Sequence, residues 1–163
     1  MNYAALKKYD IANGPGVRVS LFVSGCRRGC KGCFNKDAWD FNYGEKFTQE
    51  TLCELIEALD SEHIQGLSIL GGDPFEPENR STVEDICEKV RAWRPDKDIW
   101  VWTGYDYEQL KDSSVMWNID VLVDGRFEED KKDLRLKWRG SSNQRVIDVR
   151  ASRRSGEVVL AEE

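Results

Sequence analysis

Four times along this chain a short run of β-branched and aromatic residues stops at a glycine. The runs are VRVSLFV (17–23, before Gly25), LSIL (67–70, before Gly71-Gly72), DIWVWT (98–103, before Gly104) and IDVLVD (119–124, before Gly125). Each has the length and makeup of a buried strand. Two segments between them have helical periodicity. In residues 48–60, Leu52, Leu55, Ile56 and Leu59 recur at i, i+3, i+4 and i+7. The second is expected to start at Ser81, whose hydroxyl can cap while Glu84 completes a capping box. It carries Val83, Ile86, Cys87 and Val90 as one stripe and ends at Pro95. Parallel strands need a crossover long enough to hold a helix, so strands alternating with helices leave few options. The expected fold is α/β, a single domain over residues 1–163, with a mostly parallel open sheet forming a partial (βα) barrel. Further strands are expected at 145–150 and 157–160, their place in the sheet left open. A chain of 163 residues can bury roughly 70% of its unfolded surface, enough for a real core.

In such sheets the active site collects at the carboxyl ends of the strands. Those ends carry Cys26, the turn Gly71-Gly72-Asp73-Pro74, Thr103-Gly104 and Asp124-Gly125. Cys26, Cys30 and Cys33 are spaced C-x3-C-x2-C, with Gly25, Gly29 and Gly32 among them. Glycine permits positive φ and close backbone approach, so three thiolates can converge on one object. Structural zinc commonly takes four closed ligands. A cubane held by protein alone takes four cysteines, and three leave one iron open. Arg27, Arg28 and Lys31, with no acid between Cys26 and Cys33, are expected to lower thiol pKa values and offset cluster charge. Cys53 and Cys87 fall in helical segments and read as core cysteines, with a fourth-ligand role as the alternative. His63 reads as a surface residue past a helix end. Trp100 and Trp102 read as sheet packing.

The formal charge of −6 gives no general reason to expect nucleic-acid binding. It is uneven, since residues 126–154 hold ten Lys/Arg against five Asp/Glu. A basic stretch of that kind suits an acidic partner or a nucleotide, or is simply a solvated face. The first residues, MNYAALKKYDIANGPG, have no apolar signal core, and no run approaches a membrane span. A cytoplasmic protein without a membrane partner is therefore expected. Five cysteines in a reducing compartment point to metal or catalytic duty rather than disulfides.

The cysteine motif with Phe34 beside it resembles the radical S-adenosylmethionine superfamily. More closely, the chain resembles the activating proteins of anaerobic ribonucleoside-triphosphate reductase. The matching stretches are NGPG (13–16), LFVSGC to CFN (21–35), LGGDP (70–74), DIWVWTGY (98–105), VLVDGRF (121–127) and WRGSSNQRVID (138–148). The resemblance implies a [4Fe–4S] cluster on Cys26, Cys30 and Cys33, with S-adenosylmethionine chelating the open iron. It implies reductive cleavage to a 5′-deoxyadenosyl radical, which generates a glycyl radical on a class III reductase. It also implies a low-potential electron donor such as flavodoxin. Carried over by position, Gly71, Gly72 and Asp73 hold the methionine amino group. Gly32, Cys33 and Phe34 lie toward the adenine, although this chain has Gly32 where many superfamily members place an aromatic. NGPG either shapes the entrance for the target glycine or is a mere hairpin turn. Asn143 and Gln144 are candidates for ligand or partner contact. The rival readings are an activase of another glycyl-radical enzyme, such as a formate-lyase type, a small-molecule radical enzyme, and a zinc-binding interaction module.

Overall fold

The computed structural model describes residues 1–33 and 36–161. Its strands are β1 (Asn2–Asp10), β2 (Val17–Val23), β3 (Glu45–Lys46), β4 (Ile64–Gly71), β5 (Asp98–Trp102), β6 (Val121–Asp124) and β7 (Arg145–Asp148). They form one open sheet in the order β3-β1-β2-β4-β5-β6-β7. The four expected runs, β2, β4, β5 and β6, are parallel neighbours at its centre. Antiparallel β1 and β3 flank one side and antiparallel β7 the other. This is the expected α/β partial barrel, with antiparallel edges that periodicity did not show. β1 went unread because its sequence, NYAALKKYD, is half exposed and carries no clean alternation.

Side chains alternate across a strand, and the two faces of this sheet do different work. Val19, Leu21 and Val23 of β2, Leu67 and Ile69 of β4, and Ile99 and Val101 of β5 point to one face. There they meet Leu52, Leu55 and Leu59 from helix α1 (Gln49–Ala58) and its end. Val83, Ile86, Cys87 and Val90 of α2 (Pro77–Trp93) complete that layer. The opposite face carries Arg18, Ser20, Phe22, Ser68, Leu70, Trp100 and Trp102, a mixture of polar and aromatic groups around the site.

Three boundaries differ from expectation. α2 begins at Pro77, so Ser81 is inside the helix and the Ser81–Glu84 box is not its start. Proline at the first turn has no N–H to lose and presets φ, which made it the better signal. The strand expected at 145–150 stops at Asp148, whose carboxylate caps Ala151 N and opens helix α4 (Val149–Ser155). Residues 157–160 make one isolated bridge, Ile147 to Leu160, instead of a strand.

The NGPG segment connects β1 to β2, and a fully buried cation anchors it. Arg18 is 0% exposed and donates to Pro15 O, Leu67 O, Ser68 Oγ and the Asp98 carboxylate. Ser68 Oγ in turn donates to Asn13 O at 2.6 Å. Gly14 has φ +105, and a Cβ there would stand 2.8 Å from Arg18 Nε. The segment is thus a turn, and its first residue, Asn13, lines the cleft described next together with Ala12.

Candidate functional site

A cleft of about 510 Å³ opens over the carboxyl ends of β2, β4, β5 and β6. Cys26, Cys30 and Cys33 line it together with Gly71, Gly72 and Asp73. All three cysteines are free thiols, Cys30 buried and the others half-buried. Gly29 (φ +58) and Gly32 (φ +78) are left-handed, and Cys33 N donates to Cys30 O at 3.1 Å. The loop thus curls, with three soft donors on one wall, a set suited to an iron–sulfur cluster. Among the described residues no three His, Cys, Asp or Glu side chains converge on a single-ion position. Cys53 is exposed, against expectation, because it falls on the solvent side of α1. Cys87 is buried in the core and His63 is exposed, as expected.

The electrostatics depart from the sequence expectation. Burial pushes the Cys26 thiol up to about 11, the Arg28 N–H pulls it back, and the Asp73 and Glu76 carboxylates add to the rise. The nearby cations are otherwise engaged. Arg27 pairs with Glu76 and Glu78, and Lys31, 91% exposed, pairs with Glu129. Of the three, Arg28 is in the cleft. Its guanidinium lies 3.9 Å over the Tyr105 ring, and its Nε has no hydrogen-bond partner among the described residues.

The GGDP turn is a structural joint that lines the cleft. Gly72 N donates to Val23 O and Asp73 N to Gly25 O, both at 2.8 Å. A Cβ on Gly72 would fall 2.7 Å from Gly25 O, so glycine is required for this loop to touch the cysteine loop. Asp73 is 1% exposed. Its carboxylate accepts from Phe75 N (2.9 Å), Thr103 Oγ1 (2.8 Å) and Gly104 N (2.9 Å). Burial pushes that carboxyl up and these three donors oppose it. Three of roughly four acceptor positions are taken by these donors.

The remaining wall comes from residues the sequence reading left aside or assigned elsewhere. Trp102, expected only to pack the sheet, lines the cleft with Phe22, Leu70 and Trp138. Trp138 is the one non-glycine residue with positive φ (66°) among those described, and its carbonyl accepts from Trp102 Nε1 at 2.6 Å. Gln144 also lines the cleft, with Oε1 held by Gly140 N and Ser141 N and Nε2 donating to Gly125 O. Asn143 donates to Arg126 O and lies outside the lining. Gly32 packs beside Glu129 and is not part of the lining either. Phe34 lies outside the described residues.

Residues 12–147 match the family described as "4Fe-4S single cluster domain". The anaerobic ribonucleoside-triphosphate reductase-activating protein of Escherichia coli is 47% identical over 154 residues, spanning 92% of this chain and 100% of the relative. The chain belongs to this activating-protein family. The member from Vibrio cholerae is 47% identical over 148 residues (88% of this chain, 96% of the relative). The member from Pasteurella multocida is 44% identical over 150 residues (88% and 95%). Membership in the activating-protein family agrees with the cysteine wall and with the open sheet. No helix among the described residues is long and apolar enough to cross a membrane.

Proposed function

We propose that this chain activates an anaerobic (class III) ribonucleoside-triphosphate reductase, placing a glycyl radical on it with S-adenosylmethionine and a [4Fe–4S] cluster. The observation that carries the reading is the meeting of Cys26, Cys30 and Cys33 with Gly71, Gly72 and Asp73 in one cleft at the strand ends. When bound, the cluster supplies the electron that divides the sulfonium into methionine and a 5′-deoxyadenosyl radical, which takes a hydrogen from a glycine of the reductase. The chain's part is to hold, orient and admit. Cys26, Cys30 and Cys33 would hold the cluster and, being three, would leave one iron free for the amino and carboxylate groups of S-adenosylmethionine. The Gly71-Gly72 backbone and the last acceptor position of Asp73 receive the methionine end. The adenine is proposed to lie toward the Cys33–Phe34 end of the motif, and Gly32, beside Glu129 and outside the cleft lining, is not kept in that role. The cleft's opening suits a macromolecular substrate that brings its own cover, and the names of the relatives point to the reductase. A low-potential protein such as flavodoxin is the proposed donor, and the cytoplasm the proposed location.

The test is anaerobic. The reconstituted, reduced protein should convert S-adenosylmethionine to methionine and 5′-deoxyadenosine. With the cognate reductase it should give a doublet paramagnetic signal, lost when the target glycine is alanine. Deuterium on that glycine should appear in 5′-deoxyadenosine. A doublet with a formate-lyase type partner and none with the reductase would overturn the reading.

A further inference from the structure

Glu76 is a buried carboxylate for which the proposed reaction has no use. It is 2% exposed and stands at the N-cap position of α2, yet its side chain makes no capping bond to that helix. It turns instead toward the cysteine loop. One carboxylate oxygen accepts from Arg27 N at 2.8 Å and, more loosely, from Arg27 Nη1 at 3.4 Å. The other accepts from the Tyr105 hydroxyl at 2.8 Å. Each hydrogen bond this carboxylate makes among the described residues is one it accepts. Tyr105, so fixed, is the ring on which the cleft cation Arg28 rests. The first turn of α2 adds Asn79, whose Nδ2 donates to Ser24 O and Asp73 O, both at 3.0 Å. Glu76 thereby ties three strand ends together at the residue that follows Cys26.

We propose that Glu76 is a positioning residue that fixes the first arm of the cysteine loop and holds a negative charge beside the cluster, keeping its reduction potential low. The proposal rests on the cysteines being the cluster's ligands. The physical reason is Coulombic. Reduction adds one negative charge, and a fixed carboxylate in a poorly solvated position opposes that addition far more than an exposed one. The exposed partner Arg27 is solvated and offsets it only in part. A cluster held at low potential is a stronger reductant once charged, which suits the cleavage of a sulfonium.

Glu76→Gln separates charge from hydrogen bonding. Its amide oxygen can still accept from Arg27 N, and its amide group can donate to the Tyr105 oxygen, which accepts as readily as it donates. The reconstituted variant should keep wild-type iron and sulfide. In a redox titration followed by the paramagnetic signal of the reduced cluster, its potential should become less negative. At the wild-type midpoint the ratio of reduced to oxidised cluster should rise about tenfold, equivalent to about 59 mV for one electron. Tyr105→Phe keeps the charge and removes one donor that screens it, so its potential should stay at or below that of wild type. Glu76→Asp should restore most of the low potential. A Glu76→Gln cluster at the wild-type potential would overturn the proposal alone. Should that variant assemble no cluster, Tyr105→Phe decides, and a rise in its potential would overturn the proposal. A wild-type chain that takes up no iron and sulfide would overturn the cysteine assignment itself, and this inference with it.

Discussion

Cys26, Cys30 and Cys33 share a cleft wall, whereas Cys53 points to solvent from α1 and Cys87 is sealed under α2. Burial pushes the Cys87 thiol up to about 12, so it is held as a neutral apolar group. Replacing any of the first three by alanine should abolish cluster assembly, while Cys53→Ala and Cys87→Ala should retain it. Iron and sulfide content after anaerobic reconstitution decides, and a full complement in Cys30→Ala would contradict the three-ligand arrangement. Asp73→Ala leaves three donors, Phe75 N, Thr103 Oγ1 and Gly104 N, without their acceptor. Each buried orphan costs about 1–3 kcal/mol. The variant is therefore expected to melt earlier and to bind S-adenosylmethionine more weakly, with cluster content retained. Unchanged affinity by calorimetry together with an unchanged midpoint would remove Asp73 from the site.

Among the elements, the junction of α2, β5 and α4 depends on one side chain. Asp120 accepts from Arg91 Nη2 (2.8 Å), Ile99 N (2.8 Å) and Arg150 Nε (2.6 Å). Burial alone would push its carboxyl up, but these donors outweigh burial and hold it below the ordinary 3.8. A depressed native pKa adds stability that is present above the unfolded value and lost as pH falls through the native one. Asp120→Asn should therefore cost about 1–3 kcal/mol near pH 7, and the deficit should fade in acid below the ordinary 3.8. Denaturant melts across that range measure it, and a deficit independent of pH would refute the assignment. The four central strands were legible because buried parallel strands are continuous apolar runs ended by glycine. The cysteine wall was legible from spacing alone. Glu76, Arg28 and Trp138 were not, because their roles arise where loops far apart in sequence meet. The pull of Arg27 and Lys31 on Cys26 was misjudged for the same reason, since their acidic partners Glu76, Glu78 and Glu129 come from elsewhere in the chain.

At the scale of the whole molecule, helices cover one face of the sheet and the strand ends open into an uncovered cleft. Dioxygen should reach a bound cluster there freely. The visible absorption of the reconstituted protein is expected to bleach in air, and complete persistence over hours would argue for a closed site. The aromatic wall has an optical consequence. Trp100, Trp102 and Trp138 touch, with ring centroids 5.7 and 6.1 Å apart, and two of them line the cleft. Trp93 and Trp117 are exposed and should emit as solvated indoles. The packed trio should give a separate, bluer fluorescence that an iron–sulfur chromophore in the adjoining cleft would quench by energy transfer. Occupancy of the cysteine loop then becomes readable in real time, without a label, as the fading of the protein's own light.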